Sequence, residues 1–423
     1  MLTDFQTDQF YMSGTMAVNQ DVVFTGSSSE RINTFTTGEN SELILVETES
    51  DAPCQIHADN VTIDGHFKAG PLDIGVGFIS LRVGGHLVFE PVEELQIHEV
   101  VVSGWFESQS HMSLGHKNDT DQTIFQTTPG STVILNSNSS HNLNGLTHSQ
   151  LSLISLEVGG TFTGSDVEFT FPMNSVLVTE SGNLQFTSVG FIQANSFTVN
   201  GIFTAWNNII LFGSYRPREG DLTIGPLGQM TLDASSQGDK LWMKTSYLYP
   251  LHLECNGRFM AGLLSVDLPE GYFALFDRDG FRTYDALDDG NSTMVGILGL
   301  DDFKKFLELN ISGSFEFEAA SDLDVVTIDI SGRMESYGPV TIGVATEDSP
   351  TTITTATGSH VELNSLNRSV GPSGLGHSEI YATVFTVGGT FVGRELHFPE
   401  ALVSVTVTET GHLSMTSVGK IFE

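Results

Sequence analysis

The sequence is poor in cysteine and in basic residues, and it has no long apolar run. Two cysteines, Cys54 and Cys255, in 423 residues exclude the disulfide-stapled architecture of small secreted domains. In a stack of coils these two would stand about 45 Å apart at ~4.8 Å per strand, against a disulfide reach of ~7 Å between Cα atoms. Two buried thiols outside any disulfide are therefore expected. Only 17 Lys and Arg face 52 Asp and Glu, giving a net charge of -35. Affinity for nucleic acid comes from clustered cations, so nucleic acid is excluded as a partner, and an anionic membrane surface is disfavoured for the same reason. No apolar stretch approaches the ~18 residues of a membrane-spanning helix, so no membrane insertion is expected in this segment. The opening Met1-Leu-Thr-Asp-Phe-Gln6 has neither the basic nor the apolar region of a signal peptide. Nucleophile elbow, P-loop, dinucleotide fingerprint, zinc spacing and HExxH are all missing, and no catalytic residue is assigned.

What the chain has instead is 44 Gly, 29 Phe and a polar complement dominated by Ser, Thr and Asn. β-Branched and aromatic residues fit a pleated surface, and Gly, Asn and Asp supply corners. A short motif recurs, apolar-x-apolar-x-Gly-x-apolar, as in Val61-Thr-Ile-Asp-Gly-His-Phe67, Leu81-Arg-Val-Gly-Gly-His-Leu87, Leu156-Glu-Val-Gly-Gly-Thr-Phe162 and Phe385-Thr-Val-Gly-Gly-Thr-Phe391. Neighbouring copies lie about 20 residues apart, a period that means a solenoid. The expected fold is all-β: a parallel β-helix of right-handed sense, with glycine turning each corner at positive φ and about twenty coils forming a rod on the order of 90 Å long. Val158, Phe162, Val178, Leu184, Val199, Phe203, Val387, Phe391, Val407 and Leu413 are its expected core residues.

The pattern also repeats at long range. Val158-Gly-Gly-Thr-Phe162 returns as Val387-Gly-Gly-Thr-Phe391, and Thr187-Ser-Val-Gly190 as Thr416-Ser-Val-Gly419, both at one and the same offset. Near the start the offset is shorter, as between Phe10 and Phe197. Two tandem copies, residues 1–190 and 191–423, follow, the second with a loop insertion at about 269–305 that accounts for the difference. Both are read as one continuous rod and part of a longer chain. Within the insertion, the acid-then-lysine run from Leu300 to Leu309 carries the one helical-turn signal.

Both copies hold a polar loop after Leu-Asn-Ser that ends in Gly-Leu-x-His-Ser. Asn136, Ser137 and His148 in the first, with Asn364, Ser365 and His377 in the second, are candidate binding residues for a glycan or a neighbouring chain; the same side chains could instead satisfy backbone groups. In the insertion, Asp277, Asp279 and Asp285 are candidate Ca²⁺ ligands, although the terminal Glu of a calcium loop is missing. Beyond that possible Ca²⁺, no cofactor is expected. Six Asn-x-Ser/Thr sequons, at Asn60, Asn118, Asn138, Asn291, Asn310 and Asn367, are glycosylation candidates on a secreted chain.

The segments from Leu81 to Ser108 and from Leu307 to Ser336 resemble the strand-glycine-strand rhythm of G8-type modules in fibrocystin-like cell-surface proteins. The resemblance implies an extracellular, β-rich setting. Two functions remain open: a structural or adhesive component of a matrix, cell surface or filament, in contact with sister chains or glycans, and a carbohydrate-active β-helix enzyme or glycan-binding module.

Overall fold

The computed structural model describes residues 3–18, 22–27, 31–45, 54–70, 72–73, 78–89, 94–115, 123–136, 148–187, 189, 191–206, 210–212, 221–232, 245–249, 252–265, 272–277, 280–285, 306–323, 325–343, 351–366, 376–399 and 402–416. Among them there is no helix, and so none long and apolar enough to cross a membrane. The strands form two compact units, Met1–Val189 and Gly190–Glu423.

Each unit is a parallel β-helix. In the first, Phe10, Phe35, Val61, Leu81, Val100, Phe125, Leu156 and Val176 stand in register as one inward-facing ladder. A second ladder runs from Met16 through Leu43, Phe67, Leu87, Phe106, Val133 and Phe162 to Leu184. Short third strands such as Ser113–Gly115 and Val167–Phe169 complete the coils. Residues alternate inward and outward with period two, so Thr161–Gly164 presents Phe162 and Gly164 to the interior and its two threonines outward. No coil can bury its own apolar face; the next coil does it. Phe106, Phe125, Phe162 and Phe186 make a continuous aromatic column, with ring centroids 6.5, 5.5 and 6.1 Å apart in succession.

The second unit repeats this arrangement. Phe197, Leu222, Leu253, Leu309, Ile328, Ile353, Phe385 and Val405 form its first ladder. The lengths of chain between successive rungs differ between the units by a few residues at most, with one exception. The step from Leu253 to Leu309 is far longer than its counterpart from Val61 to Leu81. It contains the stretch expected as an insertion, where Tyr272–Asp277 pairs antiparallel with Gly280–Asp285 as a hairpin.

Four expectations are corrected. Among the described residues each unit links eight rungs, fewer than twenty coils in all, because steps such as Phe125 to Leu156 and Ile353 to Phe385 take up more chain than the short motif's interval. The corner glycines Gly65, Gly85, Gly104, Gly313 and Gly332 are not at positive φ. They are required by stacking: a Cβ on Gly85 would stand 2.1 Å from the Gly65 carbonyl oxygen, and one on Gly104 would stand 2.1 Å from that of Gly85. Of the helical turn expected from Leu300 to Leu309, the charged residues 300–305 lie outside the described residues, and the described end is strand over Phe306–Ile311, where Leu309 points inward and is buried. Finally, eight of the ten expected core residues are buried, whereas Val407 is 46% exposed and Leu413 is half-buried, because no described coil stacks on theirs.

Both cysteines are buried and neither forms a disulfide. The Cys255 thiol donates to the Ser314 carbonyl at 3.5 Å, and burial pushes its pKa up to about 12, so it stays protonated at neutral pH.

Candidate functional site

Strand Thr132–Leu135 ends at Asn136, which turns the chain with φ 61°, and strand His360–Leu363 ends at Asn364 with φ 54°. Asparagine is among the few residues that accept this left-handed conformation readily. Both are buried. Asn136 Nδ2 donates to the Ser165 and Asp166 carbonyls of the next coil, and its Oδ1 accepts from Ser149 Oγ at 2.7 Å. Ser149 Oγ in turn accepts from the Met112 amide at 3.0 Å. At the other corner, the Asn364 amide donates to Ser336 Oγ at 2.9 Å, and the Val340 amide donates to Ser378 Oγ at 3.2 Å. The Ser365 carbonyl accepts from Arg394, whose guanidinium also holds Glu362 at 2.9 Å. These contacts are structural, and they consume Asn136 and the Asn364 backbone in holding coils together. Ser137 lies outside the described residues, as do Asn118, Asn138, Asn291, Asn367 and Asp279.

The left-handed positions form a set. Gly115, Gly130, Asn136 and Asp166 in the first unit have φ of 100°, 84°, 61° and 51°; Gly343, Gly358, Asn364 and Glu395 in the second have 90°, 85°, 54° and 52°. Taken in order, the members pair off at a constant offset, to within a single position. The threonine and serine caps recur as well: Thr127 Oγ1 accepts from the Gly159 amide at 3.0 Å, and Thr355 Oγ1 from the Gly388 amide at 3.2 Å.

Where the polar loops rejoin the stack, the two units differ. His148 and Gln150 flank the inward Ser149, and Gln150 is in register with Glu168 of the next coil. His148 Nε2 stands against a Glu168 carboxylate oxygen. In the second unit His377 and Glu379 flank the buried Ser378, and Glu379 is in register with His397. His377 Nε2 lies 3.3 Å from Glu379 Oε1, and His397 Nδ1 lies 3.9 Å from the same oxygen. The two imidazoles meet edge to face with centroids 5.2 Å apart. Tyr381 donates its hydroxyl to the other Glu379 oxygen at 3.1 Å. One potential ligand atom from each of the three lies within 4.8 Å of the others, a donor set able to hold a metal ion. Sequence reasoning finds His377 and misses Glu379 and His397. The available signal is the spacing, since His377 and His397 are separated by one short coil.

A third feature is a carboxylate column. Glu316, Glu335 and Glu362 stand in register on successive coils, at a rung spacing of about 4.8 Å. Each has a guanidinium partner: Arg258 at 3.8 Å from Glu316, Arg333 against Glu335, and Arg394 on Glu362. Tyr337 donates to Glu316 at 3.2 Å; burial, reinforced by that carboxylate, raises the phenol's pKa above its usual value. On the first unit, the His86 ring meets His66 at a tilt and Trp105 edge to face, and burial together with the His66 charge lowers its pKa.

The remaining candidates do not converge. The hairpin register places Asp277 opposite Gly280 and Asp285 opposite Tyr272, at opposite ends of the strand pair and about 17 Å apart along it. Asn60 and Asn310 are exposed on strands, and Asn60 Oδ1 accepts from Ser80 at 2.9 Å. Comparison with protein-family models, with curated proteins and with solved structures finds no match to this chain.

Proposed function

We propose that this chain is a structural or adhesive component of an extracellular matrix, cell surface or filament, built by duplication and acting as a rigid repeat rod. The observation that carries this reading is the recurrence of every left-handed position of the described residues in order, Gly115 with Gly343 through Asp166 with Glu395. A backbone copied corner for corner is a scaffold that lengthens by copying, and an enzyme seldom needs its site twice. The resemblance to G8-type modules, the sequons and the net charge of -35, which keeps long surfaces soluble and apart, favour an extracellular setting. The polar loops are the surfaces offered to sister chains or glycans, and Ca²⁺ collected on carboxylates is compatible with that role.

One observation favours the carbohydrate-active alternative. Rung-spaced Glu316, Glu335 and Glu362 approach the ~5–5.5 Å separation of a retaining glycosidase's two carboxyl groups. Their guanidinium partners, however, occupy the oxygens that a substrate would need. Incubation with a panel of polysaccharides, with and without Ca²⁺, is expected to release no oligosaccharide. Release that Glu335→Gln abolishes would overturn the structural reading in favour of the enzyme.

A further inference from the structure

The trio His377, Glu379 and His397 differs from everything else on the outer surface described above in one respect. Among the described residues it alone brings a potential ligand atom from each of two imidazoles and a carboxylate within 4.8 Å of one another, with no guanidinium or ammonium within the set to neutralise it. We propose that these three residues bind a divalent transition ion of the borderline class that Zn²⁺ represents, and that the ion braces two successive coils of the second unit.

The donor set fits the chemistry. Zinc takes imidazole nitrogen and carboxylate oxygen at about 2.0–2.2 Å in tetrahedral geometry, which sets neighbouring ligand atoms roughly 3.3 Å apart. His377 Nε2 and Glu379 Oε1 already stand at 3.3 Å, and His397 Nδ1 at 3.9 Å from that oxygen needs only a small side-chain rotation. His397 Nδ1 is buried and makes no hydrogen bond, a state that coordination would resolve. Glu379 is held from behind, because Tyr381 donates to its second oxygen at 3.1 Å, the outer contact that orients a ligating carboxylate. Backbone pairing fixes the rest: Ser378 is in register with Leu396 and Glu379 with His397, so two of the ligands sit on paired strands and His377 immediately precedes one of them. Hard cations such as Ca²⁺ want six to eight oxygens, which two imidazoles and one carboxylate do not supply. Three protein ligands leave a fourth position for water or for a donor from a partner.

The first unit supplies an internal control. At the equivalent places it carries His148, Gln150 and Glu168, with one imidazole, one neutral amide and one carboxylate that already stands against the histidine. That set is a poorer ligand for the same ion. The expected stoichiometry is therefore one ion per chain and not two, although the backbone frame occurs in both units.

The test is calorimetric titration of the full, chelator-stripped chain with Zn²⁺, with Co²⁺ as the spectroscopic probe. One saturable site is expected, with Co²⁺ developing visible bands of tetrahedral intensity and Zn²⁺ raising the thermal midpoint. The double substitution Glu379→Gln with His397→Glu installs the first unit's set and should weaken Zn²⁺ by about 100-fold or more, while Tyr381→Phe should weaken it about 10-fold. The metal-free thermal midpoint of each variant reports whether the stack is intact. Should the double variant fail to fold, His377→Gln, at the edge of its strand, carries the same expectation for affinity. Absence of saturable binding, or affinity that these substitutions leave unchanged, would overturn the site without touching the scaffold reading.

Discussion

Phe162→Ala should cost about 3–5 kcal/mol of stability, read as a fall in the urea midpoint at unchanged slope. Phe162 is wholly buried and lies between Phe125 and Phe186 in the aromatic column, at 5.5 and 6.1 Å. Its removal leaves a cavity walled by rings that the coils above and below hold in place. The strands cannot close around it, because Thr161–Gly164 is hydrogen-bonded in register to Thr132–Leu135 on one side and Asn183–Phe186 on the other. Phe391 occupies the equivalent place in the second unit, 2% exposed, and Phe391→Ala should behave alike. A loss well under 1 kcal/mol at both positions would mean that the rings face solvent.

Gly85→Ala is the second large effect, and it acts through the backbone. An added methyl would stand 2.1 Å from the Gly65 carbonyl oxygen and 2.4 Å from that of Asp64, far inside contact distance. The Gly65 oxygen cannot retreat, since the His86 amide donates to it at 2.8 Å as part of the coil-to-coil ladder. Overpacking against fixed backbone should cost about 3 kcal/mol. Gly14→Ala is the matched control: nothing lies within 4 Å of its would-be Cβ, and its φ is not left-handed. It should be near neutral. Equal effects of the two substitutions would show that the glycines serve chain flexibility and not stacking.

Much of this fold is legible in the sequence, because its regularity is local. Alternation in Leu156-Glu-Val-Gly-Gly-Thr-Phe162 marks which side chains point in, and the recurring interval between such motifs marks a coil; Val158 and Phe162 are buried as that pattern requires. What misleads is any inference that treats a rung as if it stood alone. Corner glycine invites a positive-φ explanation when only one coil is considered, whereas the constraint at Gly85 comes from Gly65, one coil back. The helical reading that runs to Leu309 fails at that described end, because a ladder from Leu253 to Ile328 claims the residue. Val407 and Leu413 carry the right alternation, yet burial needs a further coil above them.

The site follows the same logic. Asn136 and Asn364 stand out in the sequence, and both take the left-handed corner, where the Asn136 side chain and the Asn364 backbone amide make hydrogen bonds between coils. His377 is visible as part of a repeated loop ending. Glu379 and His397 become its neighbours only once the register of two strands is known, since their positions along the chain do not say which faces they share.

Adjacent coils stack as parallel strands in the register given above, and paired cysteines probe that register itself. Thr161 and Asn183 are outward-facing register partners on successive coils, so their Cα atoms lie about 4.8 Å apart, inside the disulfide range. Thr161 and Gln185, out of register by one inward–outward alternation, lie roughly 8 Å apart and outside it. With mild oxidant, Thr161→Cys with Asn183→Cys should form an intramolecular disulfide in the folded protein and Thr161→Cys with Gln185→Cys should not. Cross-linking of the second pair, or of neither, would contradict the parallel stack.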